Sequence, residues 1–342
     1  MKHFKALTFR ASSIGDALMA KYLLENVRAQ HPNARCAIVV AGRGGMIRDL
    51  LAAYPWIEVI EANRRSPAAV LRLVKDFWRS DLVSTPYTAG TVGLFTKIMA
   101  RFLGKKVVGF IDKSSNTRLF YDTVLPFWGR GTAPRLLEQA VLKAAGIPVA
   151  QEWMTLSYNP QPQLLPRLGL KKHNYIAVHL FAGSQTRGLD PAHQQALVDA
   201  LGKEFPGMAL VFTGTAHDHG FIKKLNLPAA VVMPTTTVQE MAQLLADCAG
   251  VVSVGTGPSH MASLLRVPTA VLCVCHGVPW CGPEQYGQAP IAVFARPELC
   301  PEGHNQDGYA RCMNGIDMRE VARKAKELFA MRDKAETKVQ IG

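Results

Sequence analysis

The sequence predicts an α/β protein made of two doubly wound, parallel-sheet halves, and three observations carry that prediction. Short apolar, β-branched runs alternate with amphipathic stretches along most of the chain, at a spacing that implies right-handed βαβ units. A Pro-rich, weakly patterned segment at residues 158–170, YNPQPQLLPRLGL, interrupts the alternation and reads as a linker. With 342 residues, there is chain enough for two domains that each bury a core. The expected domains are therefore residues 1–160 and 171–342, with the closing helix free to pack back on the first. Two such sheets are expected to present their carboxyl ends to one central cleft, where ligands of this fold class bind.

In the first half, strands are expected at residues 6–9, 36–40, 57–60, 82–84 and 106–110. Each is a short apolar run bounded by polar or turn-forming residues. Between them, helical spacing of apolar residues covers 16–30, 46–54, 67–79 and 91–103, and Pro134 opens a further helix at 134–145. The second half repeats the pattern. Strands are expected at 175–179, 209–213, 230–233, 250–254 and 270–274, with helices at 191–205, 221–225, 238–246 and 259–265. A last helix at 318–332 closes the fold, and the charged tail beyond it is expected to fray.

Two strand-to-helix loops stand out. After the run ending at Val254, small residues bring Thr256, Gly257, Ser259 and His260 together, and Pro258 opens a helix that stops before Pro268. A small-residue loop feeding a helix N-terminus suits an anionic group such as a phosphate. The alternative is a tight connection that needs Gly and Pro for geometry only. The first half has its own loop, RASSIGD at residues 10–16. Ser12, Ser13 and Asp16 fit N-capping, since short polar side chains accept bonds from first-turn N–H groups. Asp16, following Gly15 at the edge of the first strand, could equally present its carboxylate as a general base. Cap and base both remain open on spacing alone.

Composition narrows the partners. Hydrophobic residues make up 48% and charged residues 19%, as in a globular protein. No apolar run reaches the length of a membrane span and the first residues lack a signal-peptide pattern, so a cytoplasmic location is expected. Residues 1–160 carry 22 Lys/Arg against 11 Asp/Glu, or +11, while residues 161–342 carry 17 against 15, or +2. That asymmetry points the first half toward something anionic, a phosphorylated substrate or a membrane surface. Trp78 on the helix ending at Arg79, and Phe102 with Lys105 and Lys106, could seat the protein on an anionic membrane face, or simply belong to amphipathic helices. Beyond charge, nothing suggests nucleic-acid binding. No G-x-G-x-x-G follows a strand, which argues against a NAD-dependent oxidoreductase.

Seven cysteines, an odd number, argue against a disulfide framework. Cys273 and Cys275, with Cys281, Cys300, His304 and Cys312, invite a zinc reading. However, no Cys-x2-Cys pair occurs, and Cys273 and Cys275 share a face of an expected strand, so they read most simply as core. No metal is expected.

The stretch RASSIGDALMAKYLLENVRAQHP at residues 10–32 resembles the opening signature of the lipopolysaccharide heptosyltransferases of glycosyltransferase family 9: an arginine-ended strand, an S-x-G-D loop and a helix running to Pro. TGPSHMASLLRVPTAVL at 256–272 resembles that family's second signature. TGTAHD at 213–218, PWCGPEQYG at 279–287 and CMNGI at 312–316 agree in order and place, so the resemblance spans nearly the whole chain. It implies the two-domain GT-B fold and an inverting, metal-independent transfer from a nucleotide sugar such as ADP-heptose, without further cofactor, to an anionic lipopolysaccharide core acceptor, with peripheral contact at the cytoplasmic face of the inner membrane.

By the same resemblance Asp16 is the catalytic base, and Ser13 and Gly15 lie on the acceptor side. The donor falls to Ser184, Thr186 and Arg187 in HLFAGSQTRG, Thr213 and Gly214, Met233, and Gly255, Thr256, Gly257 and His260. Arg187 stands near where the family often carries a lysine on the diphosphate, and arginine keeps that charge. Gly255 is a departure, because the family usually has an aspartate there, expected to hold donor-sugar hydroxyls. Losing such a charge-assisted bond costs about 1.5–3 kcal/mol. Another nucleotide-sugar donor, or a non-catalytic nucleotide-sugar-binding protein on the same fold, are the alternatives. Asp16 argues against the second of these.

Overall fold

The computed structural model describes residues 3–11, 13–62, 67–85, 92–111, 117–126, 131–227, 231–300 and 308–340, with residues 117 and 333–340 described by backbone alone. The chain separates into two compact units, residues 1–154 and 155–342.

The first unit is a six-stranded parallel sheet of β1 (Lys5–Arg10), β2 (Arg35–Val40), β3 (Ile57–Glu61), β4 (Leu82–Ser84), β5 (Val107–Phe110) and β6 (Thr123–Leu125), in the order β3-β2-β1-β4-β5-β6. Alternate residues of β1 face opposite ways. Leu7 and Phe9 join a core with Val39, Ile60, Leu73, Phe77, Leu103 and Tyr121, while Thr8 bonds Ser84 of β4 through their hydroxyls at 2.7 Å. The helix Ile14–Gln30 packs on the sheet and against the helix Pro134–Ala145, which buries Leu18, Tyr22, Leu23 and Leu24. Asn26 fastens the same helix to the end of the unit, its Oδ1 accepting from the amides of Ala150 and Gln151, both at 2.8 Å.

The second unit has β7 (Tyr175–His179), β8 (Ala209–Phe212), β9 (Val231–Val232), β10 (Gly250–Val254), β11 (Thr269–Leu272) and β12 (Ile291–Phe294), all parallel, in the order β12-β11-β10-β7-β8-β9. Counted within each unit, the two orders are the same. Its last helix, Met318–Gln340, packs on the helix Pro191–Glu204 and across β10, β11 and β12. A methyl group at Gly250 would overlap the Phe329 ring, so glycine is what lets that helix lie so close to β10.

The expected doubly wound parallel halves are present, and the differences have local causes. Neither sixth strand was expected. β6 and β12 are half-buried at every position, so they show neither the alternation nor the fully buried run that marks a strand. The helix expected at 221–225 lies at Ala216–Ile222, because Thr215 and Asp218 form a capping box that starts it earlier. The stretch read as linker is tied to the second unit. Gln239 and Gln243 side chains accept from the amides of Asn159 and Gln161, and Leu164–Arg167 forms a helical turn held by an Arg167–Glu240 ion pair at 2.6 Å. Rich in Ala, Glu and Lys, the final helix continues to Gln340 instead of fraying after 332.

Candidate active site

In each sheet the strand order reverses once, between β1 and β4 and between β7 and β10. Loops at the carboxyl ends of such neighbouring strands diverge and leave a crevice for a ligand. Both loops singled out in the sequence leave a sheet at these positions.

In the second unit, β10 runs through Gly255 into the helix Gly257–Leu264. The Ser259 hydroxyl grips Thr256 twice, accepting from its amide at 3.1 Å and donating to its carbonyl at 2.7 Å, while the Thr256 hydroxyl donates to the Val254 carbonyl. The turn is thereby locked by a capping box, in which the Thr256 side chain accepts from the Ser259 amide, and the Gly257 amide stands at that helix end. His260, buried one residue on, bonds through Nδ1 to the Tyr286 hydroxyl. Burial, and then the positive charge of Arg187, lower the His260 imidazole from 6.5 to about 4. Burial also pushes the Tyr286 phenol well up, so it keeps its proton. A phenol donating to Nδ1 leaves the neutral imidazole's proton on Nε2, a hydrogen-bond donor without net charge.

Arg187 reaches this neighbourhood from the loop after β7. Ser184 caps the turn Gln185–Arg187, accepting from the Thr186 amide and sharing a 2.7 Å bond with its hydroxyl. The same loop begins at His179, whose Nδ1 lies 2.9 Å from the Thr213 carbonyl and 3.0 Å from its hydroxyl. Burial lowers the His179 imidazole, opposed in part by the Thr213 carbonyl and by Asp218. Gly214 sits against Asp218, where a methyl group would be crowded. Loops after β7, β8 and β10 thus bring Arg187, Thr213 and His260 to one end of the sheet. Met233 is different: it lies half-buried against the unit's core cluster, so packing accounts for it. Glu240 caps its helix with Thr237 and pairs with Arg167. Burial works to raise its carboxyl, but the Thr237 amide and Arg167 bring it below the ordinary value.

Gly255 is the position where a carboxylate was expected. A methyl group built there would stand 3.1 Å from the sulfurs of both Cys273 and Cys281. These thiols belong to a small apolar cluster with Val271, and the hydrogen bond to Cys281, together with burial, holds the Cys273 thiol well up. The space beside position 255 is filled by sulfur.

In the first unit, β1 ends in Arg10, buried and paired bidentately with Glu138 at 2.7 and 2.8 Å. Glu138 belongs to the helix Pro134–Ala145, so the pair pins the end of β1. Ser13 then caps the helix Ile14–Gln30. Its hydroxyl accepts from the Asp16 amide at 3.1 Å and donates to Asp16 Oδ2 at 2.5 Å. Asp16 is half-buried, like Gly15 beside it. The hydroxyl bond fixes one carboxylate oxygen, so capping and presentation of the carboxylate occur together. Ser12 and His304 lie outside the described residues; of two stretches without a readable motif that the sequence offers as acceptor loops, 87–93 is described only from Val92 on and 113–120 only from Thr117 on.

Three residues escaped the sequence reading. His179 and Tyr286 were hidden because a histidine at a strand end and a tyrosine in a loop carry no spacing signal. The partner of Arg10 lies 128 residues away. The cysteines also divide unexpectedly. Cys273 is core, as read, and packs with Cys281, whereas Cys275, also read as strand core, lies in a turn beyond β11 and its sulfur lies within 4.8 Å of those of Cys300 and Cys312. Among the described residues this is the group of ligand atoms that could hold a metal ion.

Residues 136–272 match the family model of glycosyltransferase family 9 (heptosyltransferase). No curated protein matches the sequence. Solved structures match over nearly the full length. A family 9 glycosyl transferase from Veillonella parvula superposes with a TM-score of 0.74 at 14% identity, covering 96% of this chain and 98% of that one. The E. coli ADP-heptose lipopolysaccharide heptosyltransferase II gives 0.72 at 18% identity, over 96% and 100%. E. coli heptosyltransferase WaaC with ADP gives 0.66 at 16% identity, over 95% and 100%. At such identities the structures establish the fold, and the family model, which spans the loops after β7, β8 and β10, adds the enzyme class. The chain is a glycosyltransferase with the GT-B fold of the heptosyltransferases, and its residues 136–272 carry the family 9 segment.

Proposed function

We propose that the protein is an inverting glycosyltransferase that moves a sugar, heptose foremost, from a nucleotide-diphosphate donor to an anionic lipopolysaccharide core acceptor, with no metal in the transfer step. The observation that carries the reading is the convergence of Arg187 and His260 on the start of the helix Gly257–Leu264. A guanidinium, a neutral imidazole N–H and the helix start at Gly257 form a donor set for a leaving diphosphate. In this reading the second unit binds the donor. Asp16 takes the proton of the acceptor hydroxyl, and that oxygen attacks the anomeric carbon opposite the diphosphate. The bond to the diphosphate oxygen breaks with its electron pair, inverting the anomeric centre. Ser13 orients the base, and Gly15 gives the acceptor room beside it.

A second reading, another donor sugar, is favoured by Gly255 and the two thiols filling the space beside it. Incubating the protein with ADP-heptose and with UDP- and GDP-sugars, plus deacylated core acceptor, and weighing the products by mass spectrometry separates the two. A product from ADP-heptose alone supports heptose transfer, product from another donor supports the second reading, and no product with stabilisation by a nucleotide diphosphate would leave a binding protein.

The proposal extends to location: cytoplasmic, seated on the inner membrane's anionic face. Leu71, Lys75 and Trp78 share one face of the helix Pro67–Phe77 and its end, and Leu94, Ile98 and Phe102 one face of the helix Leu94–Leu103. Leu71 is 70% exposed, Phe102 51% and Trp78 44%, and the two rings lie 4.4 Å apart. Exposed apolar stripes flanked by Lys75 and Arg79 match an anionic lipid surface. None of the protein's helices, among the described residues, is long and apolar enough to cross a membrane.

A further inference from the structure

We propose that Cys275, Cys300 and Cys312 form a three-thiolate site for one thiophilic divalent cation of the zinc class, apart from the transfer chemistry. The thiols come from three segments: the turn Cys275–Gly277 after β11, the residue following the turn Pro297–Leu299, and the helix Arg311–Asn314. Their sulfurs all lie within 4.8 Å of one another. A tetrahedral ion with metal–sulfur bonds of about 2.3 Å needs sulfurs about 3.8 Å apart, so closing the site asks for a movement of about 1 Å or less. His276 Nδ1 lies 4.0 Å from the Cys275 sulfur but outside the trio, which leaves the fourth position of a tetrahedral ion to water.

Three soft sulfurs suit zinc or ferrous iron over calcium or magnesium, which take oxygen. The surroundings also fit. The Cys275 amide donates to the Cys312 sulfur at 3.4 Å, the outer bond that steadies a metal-bound thiolate. Cys312 is buried while Cys275, His276 and Cys300 are half-buried, which gives an ion a way in and little water once there. On binding, each thiol releases its proton to solvent. A disulfide would consume two sulfurs and strand the third, and all three are free thiols.

The ion would fasten the loops beyond β11 and β12 to the helix Arg311–Asn314. From that helix Asn314 Oδ1 accepts from the Asp190 amide at 3.3 Å, and Asp190 caps the helix that follows the Arg187 loop. The site therefore braces the donor end of the second unit without touching the reacting atoms.

The test uses the full chain, made without a histidine tag, reduced, stripped with chelator and titrated with cobalt(II). The expected result is one equivalent bound, with a thiolate-to-cobalt charge-transfer band and the intense visible bands of a tetrahedral site, all erased by added zinc. Cys300→Ser and Cys312→Ser should lose the charge-transfer band, whereas Cys36→Ala, in the first unit, should keep it. Three results would overturn the proposal: wild-type protein folded by circular dichroism that gives no charge-transfer band, a band that survives in both serine variants, or a disulfide joining two of the three cysteines in peptide mapping of freshly purified protein.

Discussion

The two units share one strand order and place their loops at equivalent reversals, yet they equip those positions with opposite chemistry. At the end of β1 the charges are fixed: Arg10 is locked to Glu138 in the core, and the nearby Asp16 carboxylate is held by one serine hydroxyl. At the ends of β7 and β10 the buried groups are neutral donors, with burial lowering both His179 and His260. Arg187, exposed beside them, is the charge. A carboxylate held half-buried is suited to taking a proton, and a set of neutral donors with one cation is suited to receiving a leaving anion. The topology supplies two equivalent positions, and the proposed function divides the labour between them.

If that division is right, paired variants should separate it. Asp16→Asn keeps the cap and removes the base. Turnover should fall by about 10²–10⁴-fold while donor affinity holds. Arg187→Ala should do the reverse first, weakening nucleotide-diphosphate binding by about 10–100-fold as a charge-assisted bond is lost. Steady-state kinetics beside calorimetric donor binding would show it, and equal losses in both quantities for both variants would end the comparison.

Next in size is Gly255→Asp. The new side chain meets two sulfurs, so overpacking should destabilise the second unit by about 2 kcal/mol. Adding Cys281→Ala should recover part of that loss in denaturant unfolding. Full stability of the single variant would mean that the thiols move aside freely.

The first unit carries the basic excess and the exposed aromatic pair, so Trp78→Glu with Phe102→Glu should cut binding to anionic vesicles by about tenfold or more. Flotation assays would read this, and unchanged flotation would remove the membrane from the first unit's role.

The last contrast is in pH dependence. The folded His260 titrates near 4 and the unfolded one near 6.5, so between those values the unfolded chain binds a proton that the folded chain refuses. Stability is therefore intact above about pH 6.5 and falls as pH drops toward 4, with a slope approaching about 1.4 kcal/mol per pH unit. His260→Gln should flatten the curve in that window. A curve as steep as wild type would place the titration elsewhere.

The sequence exposed whatever repeats or runs. Buried strands such as β2 and β10 announce themselves through consecutive β-branched residues, whereas the edge strands β6 and β12 do not, because half-burial on both faces erases the pattern. The loop at 213–218 was found through its motif, yet its helix was placed late because the Thr215–Asp218 capping box was overlooked. Residues that lie in the motif-bearing loops were legible as loop residues. Those defined by contact at long range, such as Glu138 on Arg10, Tyr286 on His260 and the three converging cysteines, were not, since nothing local marks their partners. Gly255 shows the limit from the other side: its identity was plain in the sequence, but the sulfur filling the space beside it was not.

The Arg10–Glu138 pair has a consequence for how the protein is made. A growing chain emits the Asp16 loop early, but the carboxylate that secures the loop's base emerges more than a hundred residues later. The clasps at Ala150 and Gln151 emerge later again. The Asp16 end of the first unit is thus among its first parts synthesised and its last parts set, so a ribosome stalled before the helix Pro134–Ala145 would hold a sheet whose Asp16 loop has no fixed base.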